Sequence, residues 1–366
     1  MKLGLVRRGY AETGGAEAYL RRFVAAASAA GHQCVLFSAE WPSGEWPGEL
    51  VEVRARAPWR FADALAALRP RERCDLVFSF ERVWECDVYR AGDGVHAAWL
   101  ERRGALEPRW KRWTRVFNRK HPEQMAIERE LFRPQNTGAV IANSRMVQAE
   151  IVRHFAYPIE RIHVVPNGVP PAFVAPDARA AVRRELGLDP FDYIVLFVGS
   201  GWERKGLRFA IEAMDAAHLS GPKLLVVGRG DAGSMPRSRR VRFLGPRRDV
   251  PRLLAAADVF ILPTIYDPFS NACLEGLAAG LPVITTRGNG FAEIIEPGAE
   301  GDVIERPDDI PALARAIERW APPHRRAAMR ERLRAKGAEF SIERNLRETL
   351  AVLERARALR KAGSPD

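Results

Sequence analysis

Short apolar runs alternate with longer amphipathic stretches from one end of the chain to the other. Apolar runs bounded by turn residues predict buried strands, and apolar positions repeating every three to four residues predict helices. The predicted strands of the first half are Leu3–Val6, Cys34–Ser38, Val51–Val53, Leu76–Phe80, Val88–Ala91, Val140–Asn143 and Ile162–Val165. Those of the second half are Tyr193–Gly199, Leu224–Gly228, Val241–Leu244, Val259–Pro263, Pro282–Thr285 and Val303–Ile304. Strands that alternate with helices favour an α/β fold with parallel sheets.

The chain divides near its middle at a segment rich in turn-forming residues. Val165–Ala172 contains three prolines and one glycine, which is typical of a stiff linker. A chain of 366 residues is also longer than one hydrophobic core usually supports. We therefore predict two domains, 1–168 and 172–341, each opening with a strand, a glycine-bearing loop and a helix. A last helix is predicted over about 342–361.

Composition narrows the protein class. The apolar fraction of 47% is that of a soluble globular protein, and no run approaches the roughly 18 uncharged residues of a membrane span. The first apolar stretch is too short for a secretory signal and is interpreted as a strand. The four cysteines show no close metal-like pairing, which favours a reducing cytoplasm with neither a structural disulfide nor zinc. They are Cys34, Cys74, Cys86 and Cys273.

The formal charge is strongly positive, 57 − 46 = +11. Such a charge suits nucleic acid, anionic lipid or phosphorylated substrates, and composition alone does not choose among them. The sequence contains no recognisable nucleic-acid-binding module, so we do not expect nucleic acid as a partner.

Two acids eight residues apart, Asp267 and Glu275, mark the most informative segment. Pro268 restricts the backbone and keeps Asp267 in a loop, a helix begins near Ser270, and Gly280 ends it before a buried strand. The helix N-terminus suits a diphosphate, and Glu275 lies far enough along the helix to reach ribose hydroxyls. Asp267 would then reach hydroxyls of a transferred sugar. Two such acids alone would ordinarily be surface residues, but their strand–loop–helix–glycine–strand context favours a site.

This segment resembles the donor site of retaining nucleotide-sugar glycosyltransferases of family 4. These enzymes have the GT-B architecture, in which two Rossmann-like domains face a central cleft. The family normally has Glu at the first acid, whereas this chain has Asp267. The resemblance implies that the last helix packs back on the first domain and that the domains close about Asn167–Pro171. It also implies donor contacts from Gly199, Phe269, Ser270, Asn271 and Ala272.

A second motif, Val198–Gly206, follows a strand and is predicted to open a helix. Its glycines permit close backbone approach, and Arg204 and Lys205 offer two cations. Like charges at a helix start oppose its dipole, which favours a functional reason for the pair. In the family this pair neutralises the leaving nucleoside diphosphate. The sequence has no strand-end Asp-x-Asp motif of the kind that holds a metal for sugar diphosphates, so no metal and no cofactor is implied. Arg229 and Arg248 would line the nucleobase pocket, although surface arginines are an equal alternative.

The first domain carries the expected acceptor side. The pair Gly14 and Gly15 resembles the family's glycine loop, which approaches the donor. Asp93 follows a predicted strand between two glycines, and we expect it near the reacting centre, with His96 as the second candidate. Outside the resemblance, an Asp between glycines is more often a turn residue.

The segment Trp99–His121 combines eight cations with two acids, for a net charge of +6. A helix predicted from Pro108 would place Trp110, Trp113 and Phe117 on one face. Aromatic residues surrounded by cations are typical of a helix on an anionic membrane, or of a site for phosphates of a lipid-linked acceptor. The alternative is that the aromatics pack on the core and the arginines are solvated.

Together these features predict a retaining hexosyltransferase, using UDP-glucose, on the inner face of the cytoplasmic membrane. The branch that resembles lipopolysaccharide core glucosyltransferase I is indicated by Asp87–Gly94 and the basic segment after it. The acceptor would be a glycolipid, the lipopolysaccharide inner core. The alternative is a non-catalytic protein that binds a sugar nucleotide or glycolipid on the same fold.

Overall fold

The computed structural model describes residues 1–10, 15–42, 46–107, 120–170 and 178–362. The chain forms two compact units. The first unit contains the residues up to Pro166 together with those from Asn345 onwards, and the second contains Asn167–Arg344.

The first unit is built on a parallel sheet in the order β3-β2-β1-β4-β5-β6-β7. Its strands are β1 (Lys2–Val6), β2 (Gln33–Ser38), β3 (Glu49–Glu52), β4 (Leu76–Ser79), β5 (Cys86–Arg90), β6 (Thr137–Ala142) and β7 (Ile162–Val164). Every residue of β4 and β5 is buried, as expected for central strands covered on both faces. All carboxyl ends of these parallel strands meet at one edge of the sheet, where Asp93 follows β5.

The second unit has a parallel sheet in the order β10-β9-β8-β11-β12-β13. Its strands are β8 (Ile194–Val198), β9 (Lys223–Val227), β10 (Val241–Gly245), β11 (Val259–Leu262), β12 (Val283–Thr286) and β13 (Gly301–Ile304). Starting from β8, the chain adds β9 and β10 on one side of the sheet and then β11, β12 and β13 on the other. The position between β8 and β11 is therefore the topological switch point, where α/β proteins usually bind ligands.

Helices cover both sheets. In the first unit they are α1 (Gly15–Ala29), α2 (Pro58–Ala67), α3 (Pro70–Arg73), α4 (His96–Leu106), α5 (Lys120–Leu131) and α6 (Arg145–Phe155). The second unit follows with α7 (Ala178–Glu185), α8 (Trp202–Lys205), α9 (Leu207–Ala216), α10 (Val250–Ala256), α11 (Asn271–Ala278), α12 (Ile310–Arg319) and α13 (Pro323–Ala338). The last helix is α14 (Ile342–Ala362). Each strand predicted from an apolar run is confirmed, with ends that differ by a few residues at most.

From Asn345 onwards the last helix belongs to the first unit and makes contacts there. The hydroxyl groups of Thr349 and Tyr19 lie 3.4 Å apart, and Arg360 Nη1 donates to Asp87 Oδ2 at 2.9 Å. These contacts anchor α14 beside β5.

No helix among the described residues is both long and apolar enough to span a membrane. The four cysteines are free thiols in the structure. Burial raises the pKa of Cys86 and of Cys273 to about 12.

Candidate functional site

The donor loop, Asp267–Ser270, lies between β11 and α11 in the second unit. The Ser270 hydroxyl accepts a hydrogen bond from the Cys273 amide at 3.3 Å and caps α11. The helix ends at the Ala279 C-cap, and Gly280 adopts φ +83° beyond it. The predicted helix start at Ser270 and stop at Gly280 are therefore both confirmed.

Asp267 is buried, at 5% exposure, and its backbone is fixed on both sides. Its amide donates to the Gly288 carbonyl at 2.8 Å, and its carbonyl accepts from the Gly290 amide at 2.9 Å. Its carboxylate forms an ion pair with the ammonium group of Lys205. The sequence analysis assigned Asp267 to the sugar and Lys205 to the diphosphate of a donor. In the structure these two side chains contact each other, which the sequence analysis missed.

Arg204 is bound to the segment that precedes the donor loop. Its Nη1 donates to the Tyr266 carbonyl at 3.1 Å. Its own carbonyl accepts from the Ile265 amide at 2.9 Å and from the Thr264 hydroxyl at 2.8 Å. These three bonds set the position of Arg204 and Lys205 relative to Asp267.

The placement of the Arg–Lys pair at the start of a helix was wrong. Arg204 and Lys205 end the one-turn helix α8, and Gly206 separates them from α9 with φ +73°. A helix C-terminus favours cations, so the helix dipole gives no reason to expect a function for the pair. The ion pair between Lys205 and Asp267 gives that reason instead.

Two glycines allow the strand ends of this site to approach each other. A Cβ at Gly206 would clash with the Pro263 carbonyl, and one at Gly228 would clash with the Gly199 carbonyl. The Gly199 amide donates a hydrogen bond to the Val227 carbonyl at 2.9 Å. The carboxyl ends of β8, β9 and β11 therefore pack backbone against backbone, as only glycine permits.

The remaining predicted donor residues differ in exposure. The Phe269 ring is buried against Phe291 with ring centroids 6.1 Å apart, and Ala272 packs on the core. Asn271 is exposed, and Glu275 is half-buried on α11. Asn271 Oδ1 accepts from the side-chain amide of Asn167 at 2.8 Å.

The two arginines predicted to line a nucleobase pocket are both exposed. Arg229 follows β9, and its amide donates to the Ser200 hydroxyl at 3.0 Å. Arg248 follows β10, beside a bidentate pair in which Arg247 donates to Asp249 at 2.8 and 2.7 Å. Both arginines lie at carboxyl ends of strands, and their contact with a base stays a prediction.

Asn289 is a site residue that sequence reasoning missed. It is 1% exposed, and its Oδ1 accepts from the amides of Ser270 at 3.2 Å and Phe291 at 3.1 Å. Its Nδ2 donates to Thr285 Oγ1 at 2.9 Å and to Cys273 Sγ at 3.4 Å. One buried amide thus joins the donor loop to β12 and to α11. Between two glycines, Asn289 has the appearance of a turn residue, and no sequence signal distinguished it.

At the edge of the first sheet, Asp93 is exposed in the loop after β5. His96 begins α4, and its amide donates to Glu128 Oε1 at 2.7 Å. Its Nε2 lies 3.0 Å from Nδ1 of His121. Burial, helped by the neighbouring Arg82 guanidinium and His121, lowers the pKa of His96 to about 4. His96 is therefore a neutral imidazole at pH 7.

A second acid that the sequence reasoning missed, Glu81, lies at the same edge. Arg7 Nη1 donates to its Oε1 at 3.0 Å, and the Arg8 amide donates to the same oxygen at 3.3 Å. Burial raises the pKa of the Glu81 carboxyl, the two arginines oppose that shift, and Asp93 adds to it. Its place directly after the predicted strand Leu76–Phe80 was the signal that would have found it.

Other predicted features are described only in part. Gly14 lies outside the described residues, and Gly15 begins α1. The basic segment Trp99–His121 is described at 99–107 and 120–121, so its predicted helix from Pro108 lies outside the description. In the described part, Arg102 pairs with Glu150 at 2.8 Å. Among the described residues no group of three or more His, Cys, Asp or Glu side chains is arranged to hold a metal ion.

Comparison with known proteins gives two family matches. A model described as glycosyl transferases group 1 matches residues 192–321, and one described as glycosyltransferase family 4 matches residues 13–173. The lipopolysaccharide glucosyltransferase WaaG of Escherichia coli K12 is 27% identical over 321 residues, which cover 81% of this chain and 83% of WaaG. The lipopolysaccharide core biosynthesis glycosyltransferase LpsE of Rhizobium meliloti is 30% identical over 266 residues, covering 70% and 73%.

Solved structures share the fold. The crystal structure of WaaG superposes with a TM-score of 0.81 at 23% identity, covering 96% of this chain and 99% of that chain. The structure of Anabaena HepE in complex with UDP and glucose superposes with a TM-score of 0.72 at 18% identity, covering 97% and 99%.

Proposed function

The chain belongs to glycosyltransferase family 4, in the WaaG branch, and has the GT-B fold; from that premise we propose a retaining hexosyltransferase that uses UDP-glucose. The proposed acceptor is a sugar hydroxyl of a lipid-linked glycan, the inner core of lipopolysaccharide. WaaG is a lipopolysaccharide glucosyltransferase and LpsE is a lipopolysaccharide core biosynthesis glycosyltransferase, which supports the acceptor class. The complex of HepE with UDP and glucose supports the donor nucleotide.

The observation that carries the proposal is the Lys205–Asp267 ion pair beside the N-terminus of α11. A sugar nucleotide offers a partner to each member of the pair, since its diphosphate suits the ammonium group and its sugar hydroxyls suit the carboxylate. In our proposal the donor exchanges one ion pair for these two sets of contacts. Glu275 on α11 then binds the ribose.

Transfer breaks the bond between the sugar C1 and the diphosphate oxygen and forms a bond from C1 to the acceptor oxygen on the same face. The acceptor proton passes to the leaving diphosphate. The negative charge on that diphosphate is met by Arg204, by Lys205 and by the N-terminal amides of α11. Because these groups supply the needed positive charge, we propose that no metal ion or cofactor takes part.

Asp93 orients the acceptor hydroxyl in this proposal, and neutral His96 contributes hydrogen bonding without charge. The enzyme would act as a cytoplasmic protein on the inner face of the membrane, with Trp99–His121 against anionic lipid. Eight cations in that segment support the placement.

The proposal is tested by thermal stabilisation with UDP, GDP, ADP and their hexoses, each with magnesium and with EDTA. We expect selective stabilisation by UDP and UDP-glucose that EDTA does not change. The companion assay follows transfer to a heptose-terminated core oligosaccharide and reads the anomeric proton coupling of the product by NMR. An α-glucoside supports retention, whereas a β-glucoside contradicts it. Stabilisation without turnover of any donor would instead favour the non-catalytic binding protein.

A further inference from the structure

A pocket in the first unit lies at the carboxyl ends of β1, β2 and β3. We call it the Trp41 pocket; its cavity is about 690 Å³ and its lining includes Tyr10, Ser38–Pro42, Leu50, Glu52 and Arg56. That volume is typical of small-molecule sites. None of these residues belongs to the donor site or to the predicted reacting centre, so the function proposed above leaves the pocket without an assigned role.

One side of the pocket is aromatic. The Trp41 ring meets the Tyr10 ring at 72° with centroids 4.9 Å apart, and it meets the Trp46 ring at 82° and 5.5 Å. Edge-to-face contacts on both neighbours fix the orientation of the indole. The Tyr10 hydroxyl accepts from Arg21 Nη2 at 2.9 Å, which holds that ring as well. A rigid aromatic surface of this kind suits the C–H face of a pyranose ring.

The lining also carries acids and bases. Glu40 Oε1 pairs with Arg56 Nε at 2.6 Å, and Glu52, which pairs with Arg54 Nε at 3.4 Å, adds a second carboxylate. Because each of these carboxylates is matched by a guanidinium, the pairs leave no excess charge to attract an ionic ligand. Planar acceptors and a forked donor on one wall are suited to adjacent hydroxyl groups. Aromatic rings together with charge-balanced polar groups suit a neutral sugar.

The pocket shares an edge of the sheet with Asp93 but lies apart from it. Strands β1 and β4 separate β2 from β5, so the two strand ends are about 14 Å apart at the usual spacing of neighbouring strands. One monosaccharide does not span that distance. Arg8 connects the Trp41 pocket to the edge that carries Asp93. Its amide donates to Glu81 at that edge, and its carbonyl accepts from the amide of Glu40 in the pocket at 3.2 Å.

We propose that the Trp41 pocket is a second carbohydrate subsite, which holds a neutral sugar of the acceptor glycan away from the sugar that reacts. The inference rests on the proposed function in taking a glycan as acceptor. The subsite makes the enzyme select for acceptor length, since only an oligosaccharide occupies both places at once.

The test uses the full-length protein labelled with ¹⁵N-tryptophan. The Trp41 indole signal is assigned with Trp41→Phe and followed during titration with a delipidated, dephosphorylated core oligosaccharide, with free heptose and with inorganic phosphate. We expect a saturable shift with the oligosaccharide, at least tenfold weaker affinity for free heptose, and no shift with phosphate. An unmoved Trp41 signal at saturating oligosaccharide, or an equal shift with phosphate, overturns the subsite.

Variants separate this subsite from general damage. Glu40→Ala and Glu52→Ala should each raise the KM for the oligosaccharide at least tenfold. Glu72→Ala is the matched control, because Glu72 is an exposed acid of the same unit that pairs with Arg69 at 3.4 Å, and it should leave that KM unchanged. Equal effects of all three variants contradict the subsite.

Transfer by the wild-type protein tests the proposed function separately. Transfer without a Trp41 shift refutes only the subsite, and a Trp41 shift without transfer refutes only the transferase.

Discussion

Replacing Asn289 by alanine removes the amide that connects the donor loop to the rest of its unit. The side chain makes four hydrogen bonds, at 2.9 to 3.4 Å, and is 1% exposed. The substitution leaves the buried amides of Ser270 and Phe291 without the acceptor that they share. Because the Ser270 amide belongs to the donor loop, the change acts on Asp267 and on the start of α11 without replacing a residue proposed to contact the ligand.

The expected loss follows from the buried amides. Each buried donor left unpaired costs about 1–3 kcal/mol, so the loss of the acceptor shared by two amides should lower the free energy of unfolding by roughly 2–6 kcal/mol. For a unit of this size the Tm then drops on the order of 10 °C. Displacement of Asp267 and the helix N-terminus should also lower kcat/KM for UDP-glucose by roughly tenfold to a hundredfold. Calorimetry and initial-rate assays measure the two losses.

Trp320→Phe is the control for stability alone. Trp320 is fully buried in the same unit and donates its indole N–H to Asp302 Oδ2 at 2.8 Å, a bond that does not involve the donor loop. We expect this variant to lose Tm and keep its kcat/KM at temperatures below unfolding. If Asn289→Ala behaved in the same way, or kept the wild-type Tm, Asn289 would not position the donor loop.

Three further predictions concern single groups. His96, with its pKa lowered to about 4, takes up its proton at lower pH in the folded state than in the unfolded chain, where the pKa is about 6.5. The neutral His96 contributes its full stability above about pH 6.5, and this contribution is lost as the pH falls from 6.5 toward 4. An NMR titration midpoint of His96 near 6.5 in the folded protein would contradict this. Gly206→Ala should lower the Tm at least twice as much as Gly201→Ala, because both have φ above +70° but only Gly206 faces a backbone carbonyl; equal losses would refute the role of close approach. The raised pKa of Cys273 predicts that iodoacetamide at pH 8 spares it in the native protein, and rapid labelling detected by mass spectrometry would show that reasoning to be wrong.

The sequence predicts the fold well because each strand is a local apolar run between turn residues. The central strand β4, for example, reads Leu-Val-Phe-Ser and is buried throughout, so its burial is visible in composition alone. The cap of α11 is equally local, since Ser270 bonds an amide three residues later. Features that depend on a few neighbouring residues are accessible without a structure.

The site is less accessible because its contacts join residues far apart in the chain. Lys205 and Asp267 are separated by 62 positions, and no local pattern shows that they meet. Asn289 acts through four partners on different elements, while its own neighbours indicate only a turn. Gly206 did carry a local signal, since a glycine directly after Lys205 ends a helix, and that signal would have corrected the placement of the Arg–Lys pair.

The most direct test of the donor site compares two lysines of the same sheet. Lys205 pairs with Asp267 at the carboxyl edge, whereas Lys223 begins β9 and pairs with Asp192 at 2.5 Å. We would measure the initial rate of glucose transfer from UDP-glucose for Lys205→Ala and Lys223→Ala. The account predicts a loss of at least about a hundredfold for the first variant, because it removes a cation from the leaving diphosphate, and a rate within about twofold of wild type for the second. Wild-type transfer by Lys205→Ala, or equal losses in both variants, would contradict it.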